Sequence, residues 1–181
     1  FDQHFGRYPA QAALQVFQGM FAKEPAFDRW SEEIYPLKYH IPMCYDWGRM
    51  FIGEHGMASG SGGTNADETV AHRTFQYEAA LTSGQILNPN SMCLGDDGII
   101  SYPGITVEHV VQTYRAHGQE MNLDKQHVST DDVEFLKRWH HKDYRINGIC
   151  AGVYSTCRAL GKLRYMERYV DPENWGAKAQ A

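Results

Sequence analysis

The chain has 181 residues, of which 43% are apolar and 22% charged, and its formal net charge is −5. These values are ordinary for a globular protein that is long enough to bury a hydrophobic core. No apolar run approaches the ~20 residues that a membrane-spanning helix needs, which excludes an integral membrane protein of that kind. The chain begins at Phe1, inside patterned sequence and without methionine, so we expect it to be part of a longer polypeptide.

Charge is distributed unevenly along the sequence. Residues 1–100 hold six Lys/Arg against twelve Asp/Glu, whereas residues 135–168 hold eight basic side chains against two acidic ones. A local excess of +6 is typical of a phosphate-binding surface, and a solvated helix face explains it about equally well. The cysteines have no zinc-binding spacing, so we expect buried free thiols at Cys44, Cys93, Cys150 and Cys157.

Hydrophobic periodicity and proline positions predict the elements of the first third of the chain. They are a strand end at 1–5, a helix from Pro9 that Pro25 closes, a shorter helix over 26–35 ended by Pro36, and strands over 49–52 and 55–58. Gly53 and Glu54 separate the last two strands, which makes them a candidate hairpin.

A glycine-rich loop, residues 59–65, leads into the longest predicted helix, 64–83, which a glycine ends at a C-cap position. Val70, Tyr77 and Leu81 mark its predicted apolar face, with Ala71 and Phe75 beside it. Hydroxyls and free amide hydrogens before a helix can hold a phosphate or a ribose, and a plain mobile connector is the alternative. The loop is not a Walker loop, because no Gly-Lys-Ser/Thr follows it.

Residues 91–104 predict a β-hairpin with two adjacent carboxylates at its tip. Strand-forming segments at 91–94 and 99–102 flank Gly-Asp-Asp-Gly, in which the carboxylates are Asp96 and Asp97. Two neighbouring anions repel each other, so a turn selected for stability alone rarely uses them. A divalent cation reverses that cost, since carboxylate oxygens suit Mg²⁺ or Mn²⁺. An ordinary Asp-Gly turn is the alternative.

The rest of the chain predicts two more helices and further strands. In order, they are a helix capped by Thr106 and ended by Gly118, an acidic turn at 131–134, an apolar–basic segment at 135–139, a strand at 149–153 and a helix over 155–169. We expect the first of these helices to pack against one face of a sheet. The whole pattern predicts the α+β class, with helices flanking a small antiparallel sheet that has the carboxylate hairpin at its centre.

Five segments in this order resemble the palm motifs of viral RNA-dependent RNA polymerases, in particular those of picobirnaviruses and related double-stranded RNA viruses. The segments are FDQHF at 1–5, SGSGGT at 59–64, LGDDG at 94–98, GQEMNLDK at 118–125 and FLKR at 135–138. The resemblance implies a polymerase palm over 1–145, with a partial fingers-proximal insertion near 22–58, and the start of a helical thumb over 146–181.

The implied activity is that of an RNA-directed RNA polymerase, which replicates and transcribes a viral RNA genome. A 3′-hydroxyl attacks the α-phosphate of an incoming nucleoside triphosphate, and two Mg²⁺ (or Mn²⁺) ions ~4 Å apart stabilise the attacking and leaving oxygens. By resemblance, Asp96 is the main metal ligand on the hairpin and Asp97 assists or orients. The other chief ligand would fall before Phe1. Lys125 would be the general acid that protonates the leaving pyrophosphate.

The resemblance also implies a set of residues that bind the nucleotide: Asp2, Ser59, Gly60, Thr64 and Asn65. Asp2 would accept a hydrogen bond from the ribose 2′-hydroxyl, which distinguishes RNA precursors from DNA precursors. Gly60 would let the loop flex as template and nucleotide move. Glu68 stands where many families have Asn, so Asn65 is expected to take that role, and the choice between Asn65 and Glu68 stays open.

Lys137 and Arg138 would contact the phosphates of the primer backbone, and the basic helix 158–168 would continue that track. The implied partners are RNA template, primer or product, nucleoside triphosphates and the viral capsid, with no membrane partner. The implied location is the virion interior and the host cytoplasm.

Two other functions fit the residues. One is an RNA-binding segment without catalysis, and we expect the 181 residues alone to be inactive because an upstream Asp and the fingers are missing. The other is a metal-binding structural domain in which residues 95–98 form only a turn.

Overall fold

A computed structural model describes residues 4–164 together with Asp171 and Glu173. The chain divides into two compact units, Phe1–Gln126 and His127–Ala181, and each is described by itself. The predicted boundary between palm and thumb near residue 145 stays a prediction.

The first unit consists of helices and two antiparallel β-hairpins. In chain order its elements are α1 (Arg7–Met20), α2 (Pro25–Arg29), a π-helical turn (Trp30–Ile34), a 3-10 turn (Tyr35–Tyr39), β1 (Met43–Asp46), β2 (Arg49–Phe51), α3 (Thr64–Thr82), β3 (Met92–Leu94), β4 (Asp97–Ile99), α4 (Val107–Ala116) and a 3-10 turn (Leu123–Lys125). Within the described residues, β1 pairs with β2 and β3 pairs with β4.

The ends of α3 and α4 confirm the sequence prediction. Gly84 follows α3 with φ +68°, a conformation that glycine adopts without strain, and its amide donates to the Leu81 carbonyl at 2.9 Å. Thr106 caps α4, because its hydroxyl accepts a hydrogen bond from the His109 amide at 3.2 Å.

The prolines act differently from the prediction. Pro25 does not close α1, which ends at Met20; it begins α2, where its missing amide hydrogen costs no helical bond. Pro36 likewise does not end the helical segment that begins at Pro25. It lies at the start of the 3-10 turn Tyr35–Tyr39, which continues that segment.

The first hairpin lies earlier than predicted. Its turn is Trp47-Gly48 rather than Gly53-Glu54, and β2 is its second strand rather than its first. Gly48 has φ +69°, and the Asp46 carboxylate accepts a hydrogen bond from the Trp47 amide at 2.7 Å. Two features stabilise this tight turn: glycine adopts the positive φ without strain, and the Asp46 carboxylate binds the main chain of the turn.

Helix α3 buries a different face from the one predicted. Tyr77 and Leu81 are 49% and 68% exposed, and the core contacts are made by small residues and Phe75. The buried apolar positions of α3 are Ala71, Phe75, Ala79 and Ala80. Small side chains at these positions let α1 and α4 approach closely, so the alanine face is the one buried.

Helix α4 packs on α3, which corrects the expectation that it covers a sheet. The Tyr114 ring meets the Phe75 ring edge-on with 5.4 Å between centroids, and it meets His72 in the same way at 5.5 Å. The described strands of this unit form only two-stranded hairpins, which offer no broad sheet face for a helix.

A buried ion pair fixes the start of α3. Lys38 contacts the carboxylate of Asp67, whose side chain is 2% exposed, and the Tyr39 hydroxyl donates to the same carboxylate at 2.8 Å. The Lys38 ammonium also lies 4.1 Å from the centre of the Tyr35 ring. Burial raises the pKa of Tyr39 far above its usual value, with further contributions from Tyr35 and Asp67, so this hydroxyl remains a neutral donor.

The second unit is built mainly from short strands. Its elements are β5 (Asp132–Phe135), β6 (Arg138–His141), β7 (Arg145–Ile146), β8 (Ile149–Cys150), β9 (Val153–Tyr154) and α5 (Thr156–Arg164). Strands β5, β6 and β9 form an antiparallel sheet in that order, and β7 and β8 form a hairpin.

Several predictions for the second unit need correction. Asp132 and Glu134 belong to β5 rather than to the predicted acidic turn. They alternate with Val133 and Phe135, which is the pattern of a strand. The single strand predicted at 149–153 is split into β8 and β9. Helix α5 is described to Arg164, and the rest of the predicted helix lies outside the described residues.

The α+β class is confirmed, although the described strands form three separate hairpins and one three-stranded sheet instead of a single sheet. All four cysteines are free, as predicted, but none is fully buried: Cys44 and Cys157 are exposed, and Cys93 and Cys150 are half-buried. None of the helices in the described part of the chain has the length and apolar character needed to cross a bilayer.

We expect Lys38→Met to lower the free energy of unfolding by about 3–5 kcal/mol, because it leaves the buried Asp67 carboxylate without its cation. The double variant Lys38→Met/Asp67→Asn should lose less, since no buried charge remains. Urea unfolding measures the difference. The control is Arg29→Met, which removes an exposed pair with Glu33 and should cost no more than about 1 kcal/mol. Equal losses for Lys38→Met and Arg29→Met would contradict the role of the buried pair.

Candidate active site

The two adjacent carboxylates lie at the tip of the β3–β4 hairpin. Leu94 pairs with Asp97, so the turn consists of Gly95 and Asp96 alone and is shorter than the predicted four-residue tip. Gly95 has φ +59° and Asp96 does not have a positive φ, which is the pattern of a type II′ turn. Both carboxylates are exposed, so a ligand can reach them from solvent.

Two side chains of α3 bind the turn through its main chain. The Thr69 hydroxyl accepts a hydrogen bond from the Gly95 amide at 2.8 Å, and His72 Nδ1 donates to the Gly95 carbonyl at 2.9 Å. Both polar groups of one turn residue are therefore held by the same helix, which fixes the position of the carboxylates that follow.

Two further side chains of α3 bind the strands. Gln76 Nε2 donates to the carbonyls of Met92 and Ile99, at 3.1 and 3.2 Å, and so bridges β3 and β4. Arg73 Nη1 donates to the Ser91 carbonyl at 2.6 Å. A two-stranded hairpin is only marginally stable on its own, so these bonds supply the support that a larger sheet would give.

The hairpin lies very close to α3 at Gly98. A Cβ at this position would lie 2.6 Å from His72 Cε1 and 2.7 Å from its Nε2, so only glycine fits beside the ring. Burial lowers the pKa of His72, against the opposing effects of the Gly95 hydrogen bond and the Asp96 and Asp97 charges. The ring is therefore a neutral imidazole whose Nδ1 carries the proton.

The glycine-rich loop is tied to the first residue of α3. The Thr64 hydroxyl lies 2.9 Å from the Ser61 hydroxyl and 3.3 Å from the Ala58 carbonyl, so it closes the loop on itself. Gly60 has φ +88°, which a side chain would strain, and both Ser59 and Gly60 are exposed. The predicted nucleotide-binding residues of this loop thus share one surface segment beside α3.

Asn65 and Glu68 both reach the tip of the hairpin. Asn65 Nδ2 and Glu68 Oε2 each lie 3.5 Å from the place where a Cβ on Gly95 would stand. Asn65 is exposed and Glu68 is buried, so they approach the turn from solvent and from the protein interior respectively. The sequence left the choice between these two residues open, and the structure places both at the carboxylate turn.

The carboxylate pair fits part of a Mg²⁺ or Mn²⁺ site. Mg²⁺ is usually bound by one or two carboxylates together with substrate phosphates and water, and exposed Asp96 and Asp97 supply hard oxygen donors of that kind. Within the described residues, no group of three or more His, Cys, Asp or Glu side chains is placed to hold a metal ion.

The remaining predicted residues of the first unit lie elsewhere. Asp2 falls outside the described residues. Lys125 ends an exposed 3-10 turn, and no hydrogen bond or ion pair found in the described chain involves its ammonium group. Gln119, from the same predicted motif, donates to the His4 carbonyl at 2.8 Å, so this motif contacts the end of the first one.

Lys137 and Arg138 lie at the turn between β5 and β6 in the second unit. Phe135 pairs with Arg138, so the turn is Leu136-Lys137, with φ values of +50° and +64°. These are the dihedral signs of a type I′ turn, which normally uses Asn and Gly, and they strain ordinary side chains. The turn presents the exposed Lys137 ammonium to solvent.

The polar stripe of α3 was not predicted, because helical periodicity was applied only to apolar residues. The stripe has the same helical spacing, at i, i+1, i+4, i+5 and i+8, and consists of Glu68, Thr69, His72, Arg73 and Gln76. A search for polar residues at helical spacing next to a candidate hairpin would have found it.

The α+β fold and the Gly-Asp-Asp hairpin held on a long helix agree with the family that the sequence motifs indicated, and the chain belongs to the viral RNA-dependent RNA polymerases. The family model described as "Mitovirus RNA-dependent RNA polymerase" matches residues 69–166, more than half of the chain. This confirms the family that the five sequence motifs indicated.

Within that family, the chain is 54% identical over 178 residues to a potential RNA-dependent RNA polymerase of Human picobirnavirus. It also matches the crystal structure of a human picobirnavirus RNA-dependent RNA polymerase with a TM-score of 0.90 and 54% identity, and an insertion-loop deletion mutant of that enzyme with 0.90 and 53%. Each match covers 98% of this chain. The chain spans about a third of the length of these relatives, whose covered shares are 33%, 34% and 35%.

We expect Gly98→Ala to destabilise the protein by about 1–3 kcal/mol, because its Cβ would overlap the His72 ring. Adding His72→Ala should recover part of that loss by removing the ring. The control is Gly19→Ala in α1, whose Cβ would meet no atom within 4 Å. If urea unfolding showed Gly98→Ala to be as stable as the parent, the close packing of hairpin and helix would be disproved.

Proposed function

We propose that this chain carries the nucleotidyl-transfer site of an RNA-directed RNA polymerase, which extends the 3′-end of a growing RNA with nucleoside triphosphates to replicate and transcribe a viral genome. The observation that carries the proposal is the exposed Asp96-Asp97 hairpin, held by main-chain hydrogen bonds to α3 with Asn65 beside its turn. Membership of the polymerase family supports the same assignment.

Asp96 is the proposed main ligand of Mg²⁺ or Mn²⁺, and Asp97 assists it or orients the substrate. When bound, such ions stabilise the charge that develops on the attacking and leaving oxygens during phosphoryl transfer. The chain's own contribution is to hold the two carboxylates in place. It does so through Gly95, whose amide and carbonyl are both bound by side chains of α3.

The loop at 59–64 and Asn65 are proposed to bind the nucleotide next to the carboxylates. The position of Asn65 supports this proposal, since its amide lies at the carboxylate turn and is exposed to solvent. A side-chain amide can both donate to and accept from a ribose hydroxyl. Ser59 and Gly60 are exposed in the adjoining loop, and Asp2 is proposed as a further ribose contact.

Lys125 is proposed as the general acid that protonates pyrophosphate as it leaves. An exposed ammonium group without a carboxylate partner in the described chain can approach a polyphosphate without breaking an existing ion pair. Lys137 and Arg138 are proposed to contact the backbone phosphates of the primer strand. The strained conformation of Lys137 is consistent with a functional role for this turn.

The proposed partners follow from the activity: RNA template, primer or product and nucleoside triphosphates. A capsid partner and a location in the virion interior and the host cytoplasm rest on the family resemblance alone. An RNA-binding role without catalysis is the second candidate, because the described residues supply two carboxylates on one hairpin and no three-ligand cluster.

The catalytic proposal is tested with a chimera in which this chain replaces the matching segment of the human picobirnavirus polymerase. Asp96→Asn should lower primer extension by about a hundredfold or more, because it removes a charged metal ligand. It should also weaken Mn²⁺ binding by the 181-residue chain. Glu54→Gln, which removes an exposed carboxylate in a loop, is the control and should leave both unchanged. Full extension by the Asp96→Asn chimera would refute catalysis at this hairpin.

Lys137→Gly should distinguish the effect of backbone strain, which is read from stability, from the effect of the side-chain charge, which is read from RNA affinity. Glycine tolerates φ +64°, so stability should be unchanged or higher by about 1 kcal/mol. RNA binding should weaken, and the slope of log K against log salt should fall by about 0.7 for one lost phosphate contact on a single strand.

The matched control is Asn147→Gly, which changes a residue with φ +52° at the β7–β8 turn without removing a cation. It should leave the RNA affinity and its salt dependence unchanged. Undiminished RNA affinity in Lys137→Gly would count against a phosphate contact at this position.

A further inference from the structure

The second unit contains a cleft of which the proposed function uses only one lining residue, Lys137. It lies where the β5–β6–β9 sheet meets the start of α5, and it encloses about 290 Å³. That volume is close to the lower end of small-ligand sites, which run from ~300 Å³ upwards. The cleft's chemically distinctive lining residues are Glu134, Lys137, Trp139, Tyr154, Ser155 and Arg158.

Trp139 is an exposed aromatic surface with a fixed orientation. Its indole Nε1 donates to the Asp132 carboxylate at 2.7 Å, and its ring lies 5.4 Å from the His141 ring. Hydrogen bonds with Ser129, Trp139 and His127 hold the pKa of Asp132 well below its usual range, so the acceptor stays ionised. The indole remains 41% exposed, which leaves area for a ligand. A rigid, exposed aromatic ring is suited to stacking.

Strand register places a carboxylate beside this ring. In the antiparallel sheet Trp139 pairs with Glu134 on one side and with Val153 on the other, so the three side chains share one face. Glu134 is exposed and can accept hydrogen bonds from a hydroxyl or an exocyclic amine.

Two cations border the same cleft. Lys137 extends from the β5–β6 turn and Arg158 from the first turn of α5, where the Arg158 amide lies 3.4 Å from the Ser155 hydroxyl. No carboxylate in the described residues forms an ion pair with either side chain. By contrast, the neighbouring Lys142 is paired with Asp131. The two cations are therefore available to an anionic ligand.

We propose that this cleft binds one unpaired ribonucleotide of an RNA strand, with its base stacked on Trp139 and its phosphates facing Lys137 and Arg158. This rests on the proposed function, because that function brings single-stranded RNA to the chain. It goes further by assigning a contact to a base, whereas Lys137 and Arg138 were assigned only to the backbone.

The composition of the cleft favours a nucleotide over an acidic peptide. Base–aromatic stacking is nearly independent of sequence, because every base has a π-face, whereas an acidic peptide would leave the indole without a stacking partner. Glu134 can accept a hydrogen bond from a ribose 2′-hydroxyl, a donor that the side chains of an acidic peptide lack. An aromatic ring, two cations and one acceptor together match base, phosphate and sugar.

The test compares two ligands that differ only in their bases: hexa-adenylate RNA and an abasic ribose-phosphate hexamer of the same length. The 181-residue chain should bind the RNA about five- to a hundredfold more tightly, the range expected for one stacked base. Trp139→Ala should abolish that preference while leaving the abasic hexamer bound as before. Trp139→Phe, which keeps a stacking ring but loses the bond to Asp132, should retain most of it. Arg158→Ala should lower the affinity for both hexamers by the same factor.

Circular dichroism of each variant identifies any loss of structure, and Trp139→Leu, which removes the aromatic ring but keeps apolar bulk, carries the test if Trp139→Ala does not fold. Equal binding of the two hexamers by the parent chain would overturn the proposal, as would a preserved preference in folded Trp139→Ala. Displacement of the RNA by hexaglutamate at equal concentration would assign the cleft to acidic peptides instead. Asp96→Asn should leave the preference intact, so failure of the cleft and failure of the catalytic proposal give different results.

Discussion

The geometry of the proposed catalytic site depends on the hydrogen bonds between the side chains of α3 and the main chain of the β3–β4 hairpin. Two strands of three residues each cannot hold a fixed position in water by themselves. Thr69, His72 and Gln76 bind the turn and both strands, so the orientation of Asp96 and Asp97 is set by a helix rather than by a sheet. Adjacent residues of that helix pack on α1 and α4, and His72 itself meets the Tyr114 ring of α4, so the hairpin is held by a helix that is anchored in the core.

Local signals in the sequence were sufficient for the elements that carry the site. The bounds of α3, the cap at Thr106 and the carboxylate hairpin all follow from residues within a few positions of each feature. The order of the motifs was also sufficient for the family. One equally local signal went unused: Asn147-Gly148 is a strong type I′ turn dipeptide, and it forms the tip of the β7–β8 hairpin.

Other features depend on contacts between distant residues, which periodicity does not encode. Lys38 and Asp67 are 29 positions apart, and nothing near either residue indicates that they meet in the core. The buried face of α3 was misassigned because alanines carry little hydrophobic signal, although they allow the closest helix packing. The turn at Leu136-Lys137 contradicts the preferences of both residues, so its dihedral angles follow from the surrounding strand pairing and not from local sequence.

Recognition of the main chain has an evolutionary consequence for the hairpin. The acceptors that Gln76 and Arg73 bind are carbonyl groups, which every amino acid possesses, so the docking of β3 and β4 makes little demand on their side chains. Met92 and Leu94 are indeed partly solvent-facing. We therefore expect substitutions at these two positions to leave the carboxylates in place, whereas substitutions in the polar stripe of α3 or at Gly98 should displace them. Sequence drift in this segment is accordingly expected to fall on β3 rather than on β4, which contains both Asp97 and Gly98.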